Sequence, residues 1–155
     1  VAGEFGIVAA SSDGGVTWKQ QQTPIESTLF GIRFTDARHG IAVGLDSVIL
    51  RTEDGGATWT QLPAPITGRS FFDVFIRGQQ GWIVGDQGTV LKTADGGATW
   101  QLEPLPIQFA ANWIRALSLS PGGRGLAVGS DGLVFRVDGP TLTNLGDRAD
   151  ASRTS

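Results

Sequence analysis

Cysteine, methionine and tyrosine are all missing from this chain, histidine occurs once and lysine twice. Without cysteine there is no disulfide framework, thiolate metal site or thiol nucleophile, and the chain is compatible with either redox compartment. With His39 as the sole histidine, histidine-based metal clusters are ruled out, and no alternating Asp loop of the calcium type occurs. We therefore expect neither metal nor cofactor. No G-x-S-x-G elbow is present to pair a serine with that histidine. No apolar run approaches the roughly 18 residues that cross a bilayer, so this segment carries no direct membrane span, and its first residues lack the pattern of a signal peptide. The net charge is small, −3 at pH 7. Nucleic acid is not an expected partner, because phosphate binding needs a clustered basic surface.

What the chain has in quantity is glycine, 23 of 155 residues, much of it in one recurring octapeptide: SSDGGVTW at 11–18, TEDGGATW at 52–59 and TADGGATW at 93–100. Asp13, Asp54 and Asp95 follow one another at intervals of 41 residues, the length of one repeated structural unit. Each copy reads as a hairpin corner with an apolar plug. The short carboxylate accepts hydrogen bonds from N–H groups of its own turn, and the paired glycines supply positive φ without steric cost. Ser11, Thr52 or Thr93 adds a hydroxyl to pin the loop, and Trp18, Trp59 or Trp100 carries a large apolar surface inward.

The similarity extends well beyond the octapeptide. FGIRFTDARHGIAVGLDSVILRTEDGG at 30–56 aligns with FDVFIRGQQGWIVGDQGTVLKTADGG at 72–97. IRALSLSPGGRGLAVGSDGLVFRVDGP at 114–140 keeps the alternation and the AVG step but loses the octapeptide. Val84 and Val128 are 44 residues apart, which places a three-residue insertion around Pro104 to Asn112. Upstream, VAGEFGIVAASSDGG matches only the second half of a unit.

Within a unit, apolar residues alternate in short runs (Ile32 and Phe34, Ile41 and Val43, Val48 and Leu50) with turn formers between them. That pattern predicts an all-β fold, with strands at about 29–34, 40–44, 47–52 and 57–62 in the best-defined unit. Helix is unnecessary, apart from a short turn of it within Gln108 to Ala116. Units of roughly 40–45 residues with four strands are β-propeller blades. The expected architecture is a β-propeller of four-stranded antiparallel blades with Asp-box hairpins, occupying 1–145: a half blade at 1–22 and blades at about 28–62, 69–103 and 112–145. Residues 146–155 read as a disordered polar tail. About three and a half blades fall short of the roughly four to eight that close a ring. With a start in mid-unit and no Met, we expect the C-terminal part of a longer propeller, its remaining blades supplied by the same or another chain.

The combination of HGIAVG or QGWIVG with GTVLKTADGGATW, over residues 1–140, resembles the bacterial and plastid photosystem II stability and assembly factor family. Those proteins are seven-bladed Asp-box propellers, related in architecture to sialidases and other BNR-repeat proteins. The resemblance implies a non-catalytic scaffold or assembly subunit that is exported to the periplasm or lumen and docks on a membrane-protein complex or its assembly intermediate, with a photosynthetic reaction centre as one such complex.

The rival reading is a glycan-binding or glycoside-hydrolase propeller whose active centre lies mostly outside this segment. A sialidase uses a tyrosine nucleophile, and the chain has none. A two-carboxylate glycosidase needs acids facing each other across about 5–10 Å. The acids at hand are Glu26, Asp36, Asp46, Asp73, Asp86 and Asp131, most of them at turn positions; Asp86 and Asp131 stand beside Gly88 and Gly132 as ordinary turn formers. Asp73 is different. It aligns with Gly31 at the head of an inner strand, where a carboxylate lines the central channel and could bind a ligand. His39 falls in a turn, as an exposed polar residue. No residue is assigned a catalytic role.

For partner binding, one column stands out. Arg51, Lys92 and Arg136 occupy equivalent places just before the octapeptide or its remnant, which predicts an arc of positive charge on one side of the disc. The family resembled has an arginine-rich patch for partner contact, and this column is its best local match. Arg33, Arg69, Arg77 and Arg115, near the inner strands or their entries, are secondary candidates; guanidinium groups suit bidentate contact with carboxylates. Phe71, Phe72, Phe109 and Trp113 form an aromatic set that would suit an exposed rim beside them.

Overall fold

In the computed structural model, which describes residues 1–146, the alternating runs become fourteen short strands with single-turn 3₁₀ segments between some of them. The strands are β1 (Val8–Ala10), β2 (Lys19–Gln21), β3 (Leu29–Phe34), β4 (Gly40–Gly44), β5 (Ile49–Thr52), β6 (Thr60–Gln61), β7 (Phe71–Arg77), β8 (Gln80–Gly85), β9 (Val90–Thr93), β10 (Gln101–Leu102), β11 (Ile114–Leu119), β12 (Arg124–Gly129), β13 (Val134–Asp138) and β14 (Thr141–Asn144). They pair only with sequence neighbours, antiparallel, as one two-stranded sheet (β1-β2) and three four-stranded sheets (β3 to β6, β7 to β10, β11 to β14). This is a run of propeller blades. The predicted tail lies, from residue 147 onward, outside the described residues. A single 3₁₀ turn forms at Ile107–Phe109, overlapping only the start of the Gln108 to Ala116 stretch where the sequence predicts a short helical turn; β11 occupies the end of that stretch.

The described residues share no single core. Three apolar clusters fill the seams between successive sheets, as stacked repeats require. Val8, Leu29, Ala42, Leu50 and Trp59 occupy the first seam, Ile41, Val43, Phe71, Ile76 and Trp100 the second, and Trp82, Val84, Phe109, Ile114 and Phe135 the third. Alternation explains the choice: a strand such as β4, buried along its whole length, sends Ile41 and Val43 to one seam and Ala42 to the other.

The octapeptides fold as the sequence predicts. Asp54 accepts hydrogen bonds from Thr52 Oγ1 (2.8 Å), Thr58 N (2.8 Å) and Thr58 Oγ1 (2.6 Å), while Thr52 Oγ1 accepts from Gly56 N (2.8 Å). Asp95 and Asp13 repeat the pattern with Thr93 and Thr99, and with Ser11 and Thr17. Donation from these threonines, the hydroxyl of Thr17, Thr58 or Thr99 first, holds each carboxyl at about 2, below its ordinary 3.8. Gly97 sits at φ +82°, and a Cβ there would lie 3.0 Å from Ile41 Cδ1 of the preceding sheet, so the turn of one blade rests directly on its neighbour. Trp59 and Trp100 are buried plugs. Trp18 corrects the expectation, being 50% exposed: a plug is covered by the sheet before its own, and none precedes the first sheet among the described residues.

Candidate partner-binding face

Strand polarity sorts the candidates. The antiparallel order puts the heads of the innermost strands, β3, β7 and β11, at one end of the disc and the octapeptide turns at the other. At the head of each inner strand the ladder slips by one residue: between Leu29 and Gly31, Phe71 and Asp73, and Ile114 and Ala116. The extra residues are Phe30, Phe72 and Arg115, so one bulge recurs in three successive blades. Bulges re-aim side chains, and these three converge. The rings of Phe30 and Phe72 are 5.6 Å apart, tilted at 59°. The Arg115 guanidinium carbon lies 4.4 Å from the Phe72 centroid and 5.5 Å from that of Phe30. Cation–π contacts of this kind contribute roughly 0.5–1 kcal/mol at exposed sites. They hold Arg115 over the rings with its donors available. Trp113, two residues before it, is exposed at the same strand head.

Of the aromatic set proposed from sequence, Phe72 and Trp113 belong to this face, whereas Phe71 and Phe109 do not. Phe71 is fully buried in the second seam, and Phe109 packs edge-on against Phe135 at 5.4 Å. Phe30 was missed, although its alignment with Phe72 is visible in the repeat. Arg115 enters the same column only through the bulge register, since the insertion obscures the alignment.

The other arginines are spread out. Arg33 lies further along the channel, its guanidinium 5.6 Å from the Phe75 ring. Arg77 is exposed at the far end of β7. The Arg69 carbonyl accepts from Ser47 N at 2.7 Å, which ties the entry of β7 to the preceding sheet. Arg51, Lys92 and Arg136 do form a column, on β5, β9 and β13, but at the octapeptide end and so opposite Arg115. Arg51 pairs with Glu53 and Lys92 with Glu103, while Arg136 is exposed and has no ion pair among the described residues. Two of the three charges are thus locally balanced, and the expected arc of net positive charge reduces to Arg136.

Four of the six acids are committed to structure. Asp73, expected as a channel carboxylate open to a ligand, accepts from Val74 N at 2.9 Å and from Leu117 N of the next sheet at 2.8 Å. Asp46 and Asp131 sit in turns at φ +56° and +55° and accept from Ser27 Oγ (3.2 Å) and Asn112 Nδ2 (3.0 Å). Asp36 caps its own turn, taking the N–H groups of Arg38 and His39 and holding the His39 ring at 2.8 Å. These donors, the Arg38 amide first, keep the Asp36 carboxyl at about 2. Glu26 is exposed in a loop. One oxygen of Asp86, Oδ1, is buried without a partner among the described residues.

Comparison with known proteins bears on the fold and the family. A family profile described as photosynthesis system II assembly factor YCF48 matches residues 9–112 and 62–138. A structure described as YCF48 bound to D1 peptide is 30% identical, with a TM-score of 0.69 over 80% of this chain and 42% of that one. YCF48 from Cyanidioschyzon merolae is 27% identical, with a TM-score of 0.68 over 89% of this chain and 47% of that one. The chain therefore spans less than half the length of either. The crystal structure of an ancestral GH74 enzyme, at 17% identity, a TM-score of 0.69 and 94% against 23% coverage, shares the fold alone. A search of curated protein sequences returns no match.

Proposed function

Because this chain belongs to the photosynthesis system II assembly factor YCF48 family, we propose that it is part of a non-catalytic propeller that binds a membrane-protein subunit or its assembly intermediate, using the channel mouth formed by Phe30, Phe72, Arg115 and Trp113. The observation that carries this reading is Arg115, held over two aromatic rings at equivalent bulges of adjacent blades. Such a platform offers a planar cation and apolar area to a peptide without any rearrangement, and Arg beside aromatics is the composition of interface hot spots. That a relative binds a D1 peptide makes a peptide segment of this kind the first ligand to try. The reading places the protein in the periplasm or lumen, where such a subunit exposes soluble segments, and assigns it no enzymatic activity.

The rest of the ring belongs to the same reading. Ile41, Val43, Trp82 and Val84 are buried in seams, yet their equivalents in the last sheet, Leu126 and Val128, are 43% and 41% exposed. A further blade, from the same or another chain, would cover them, and further blades beyond it are needed to reach the length of the relatives, of which this chain spans 42% and 47%.

The test is fluorescence polarisation with labelled peptides that tile the soluble segments of a D1-type subunit, on the full-length protein. Arg115→Glu and Phe72→Ala should each weaken binding by about tenfold or more, and Arg136→Glu, at the opposite end, should leave it unchanged. Equal affinity in all three variants would show that the channel mouth is not the docking face.

A further inference from the structure

The three units of this chain contain the same inter-blade seam in two states. Between the second and third sheets, the space at the octapeptide end bounded by Gly40, Ile41, Arg51 and Gly96 is closed, with about 10 Å³ left in it. Between the third and fourth sheets, the equivalent space, bounded by Gly81, Trp82, Lys92 and Pro140, is a cavity of about 310 Å³. The difference follows from the lost octapeptide. In the closed seam the turn of the following blade seats Gly97 on Ile41, and Trp100 joins the same apolar cluster. In the fourth sheet Asp138 pairs directly with Thr141, so only Gly139 and Pro140 connect the strands; no octapeptide turn rests on the third sheet, and Leu142 is what the last hairpin adds to this seam. Trp82, standing where Ile41 stands, compensates in part, and its Nε1 donates to the Gly139 carbonyl at 3.3 Å. A second cavity of about 310 Å³, beside Phe75 and Leu119, also has Trp82 in its lining.

We infer that the first of these cavities is a receptor for one aromatic side chain, of indole size, presented by a loop of a partner protein in place of the missing plug. Size, charge and polarity all select this occupant. The volume is at the small end of binding pockets, roughly 300–1,000 Å³, enough for a ring system and too little for a run of sugars. The charged groups on its wall are already engaged, Lys92 with Glu103 and Asp95 with Thr93 and Thr99, so the occupant is neutral. The exposed side-chain amides of Gln80 and Gln101 stand on the rim without hydrogen bonds to a described residue and can meet the polar edge of an indole. The seams of this chain use the same kind of group, since Trp59 and Trp100 plug the two that are complete. This site is at the opposite end of the disc from the channel mouth and does not rest on the reading given for that face.

The test is an NMR titration of the full-length protein with N-acetyl-L-tryptophanamide. Saturable shifts are expected for the amides of Gly81, Lys92, Gln101 and Gly139, with a Kd on the order of 1 mM for so small a ligand, and none for Gly40 or Arg51. Ala94→Phe fills the cavity mouth at a position occupied by exposed Ser12 and Glu53 in the other octapeptides; it should weaken binding about tenfold or more while the Gly40 and Arg51 resonances stay in place. Gln101→Ala, on an exposed edge strand, should weaken binding without moving the melting temperature. Shifts that fail to saturate, binding that survives Ala94→Phe, or saturation by a cello-oligosaccharide in place of the indole would each overturn the inference.

Discussion

The carboxylate of Asp73 joins two blades: its Oδ2 accepts the backbone N–H of Leu117, 2.8 Å away on the inner strand of the next sheet, while Oδ1 accepts Val74 N. Inner strands have one edge without a ladder partner, and an unmet N–H beside a buried residue such as Leu117 is costly. Asp73→Ala should therefore lower stability by about 1–3 kcal/mol, and hydrogen exchange of the Leu117 amide should accelerate relative to the Leu29 amide. Unchanged exchange at Leu117 would show that the contact is incidental.

The octapeptides differ in what surrounds the hydroxyl. Thr52 and Thr93 are buried, and each Oγ1 both donates to the box carboxylate and accepts the Gly56 or Gly97 amide. Ser11 makes the same bonds in solvent. Thr52→Val, nearly isosteric, strands both partners and should cost about 1–3 kcal/mol in denaturant titration; Ser11→Ala should have a much smaller effect, because water replaces the lost group.

Acid sensitivity follows from the same carboxylates. Asp13, Asp54 and Asp95 titrate at about 2 when folded, against an ordinary 3.8. A folded pKa below the unfolded one means that the native state gives up protons more readily, so the stabilisation is fully present above 3.8 and is lost as pH falls towards 2. The melting temperature should be flat with respect to these groups at neutral pH and should drop across that window. In a double Asp54→Asn, Asp95→Asn variant the drop should be visibly shallower.

One plug lacks a partner. Trp59 Nε1 faces Gln21 Oε1 at 3.4 Å, whereas Trp100 Nε1 is buried with no acceptor among the described residues. The residue equivalent to Gln21 in the next blade is Leu62, which packs in the second seam. Leu62→Gln should give Trp100 an acceptor and move its indole N–H resonance downfield. The net change in stability should stay within about 1 kcal/mol, because lost apolar contact offsets the new hydrogen bond. An unmoved resonance would mean that the new amide turns to solvent instead.

Much of the fold is legible in the sequence. A 41-residue period and period-two alternation are local and repetitive signals, and a hairpin corner such as Thr52 to Trp59 is built from bonds that span at most four residues. The candidate face was less legible. Whether an aromatic is rim or core depends on the neighbouring sheet: Phe71 and Phe72 are adjacent in sequence, yet one is a seam residue and the other lines the channel mouth. Likewise, Arg51 and Lys92 read as free charge until their acids, Glu53 and Glu103, are placed beside them.

Taken alone, the amino-acid sequence determined that this protein is a stack of similar all-β units, where each turns, and which Trp stands at each octapeptide corner, because repeats and turns are written in short-range chemistry. Tertiary structure alone decided what the units do to one another. It set the bulge that brings Arg115 over Phe72, the use of Asp73 as a tie between blades, and the opening of one seam beside Trp82 where its neighbour is shut. Those outcomes depend on side chains from separate sheets meeting at a common interface, and the spacing along one strand carries no record of what will pack against it.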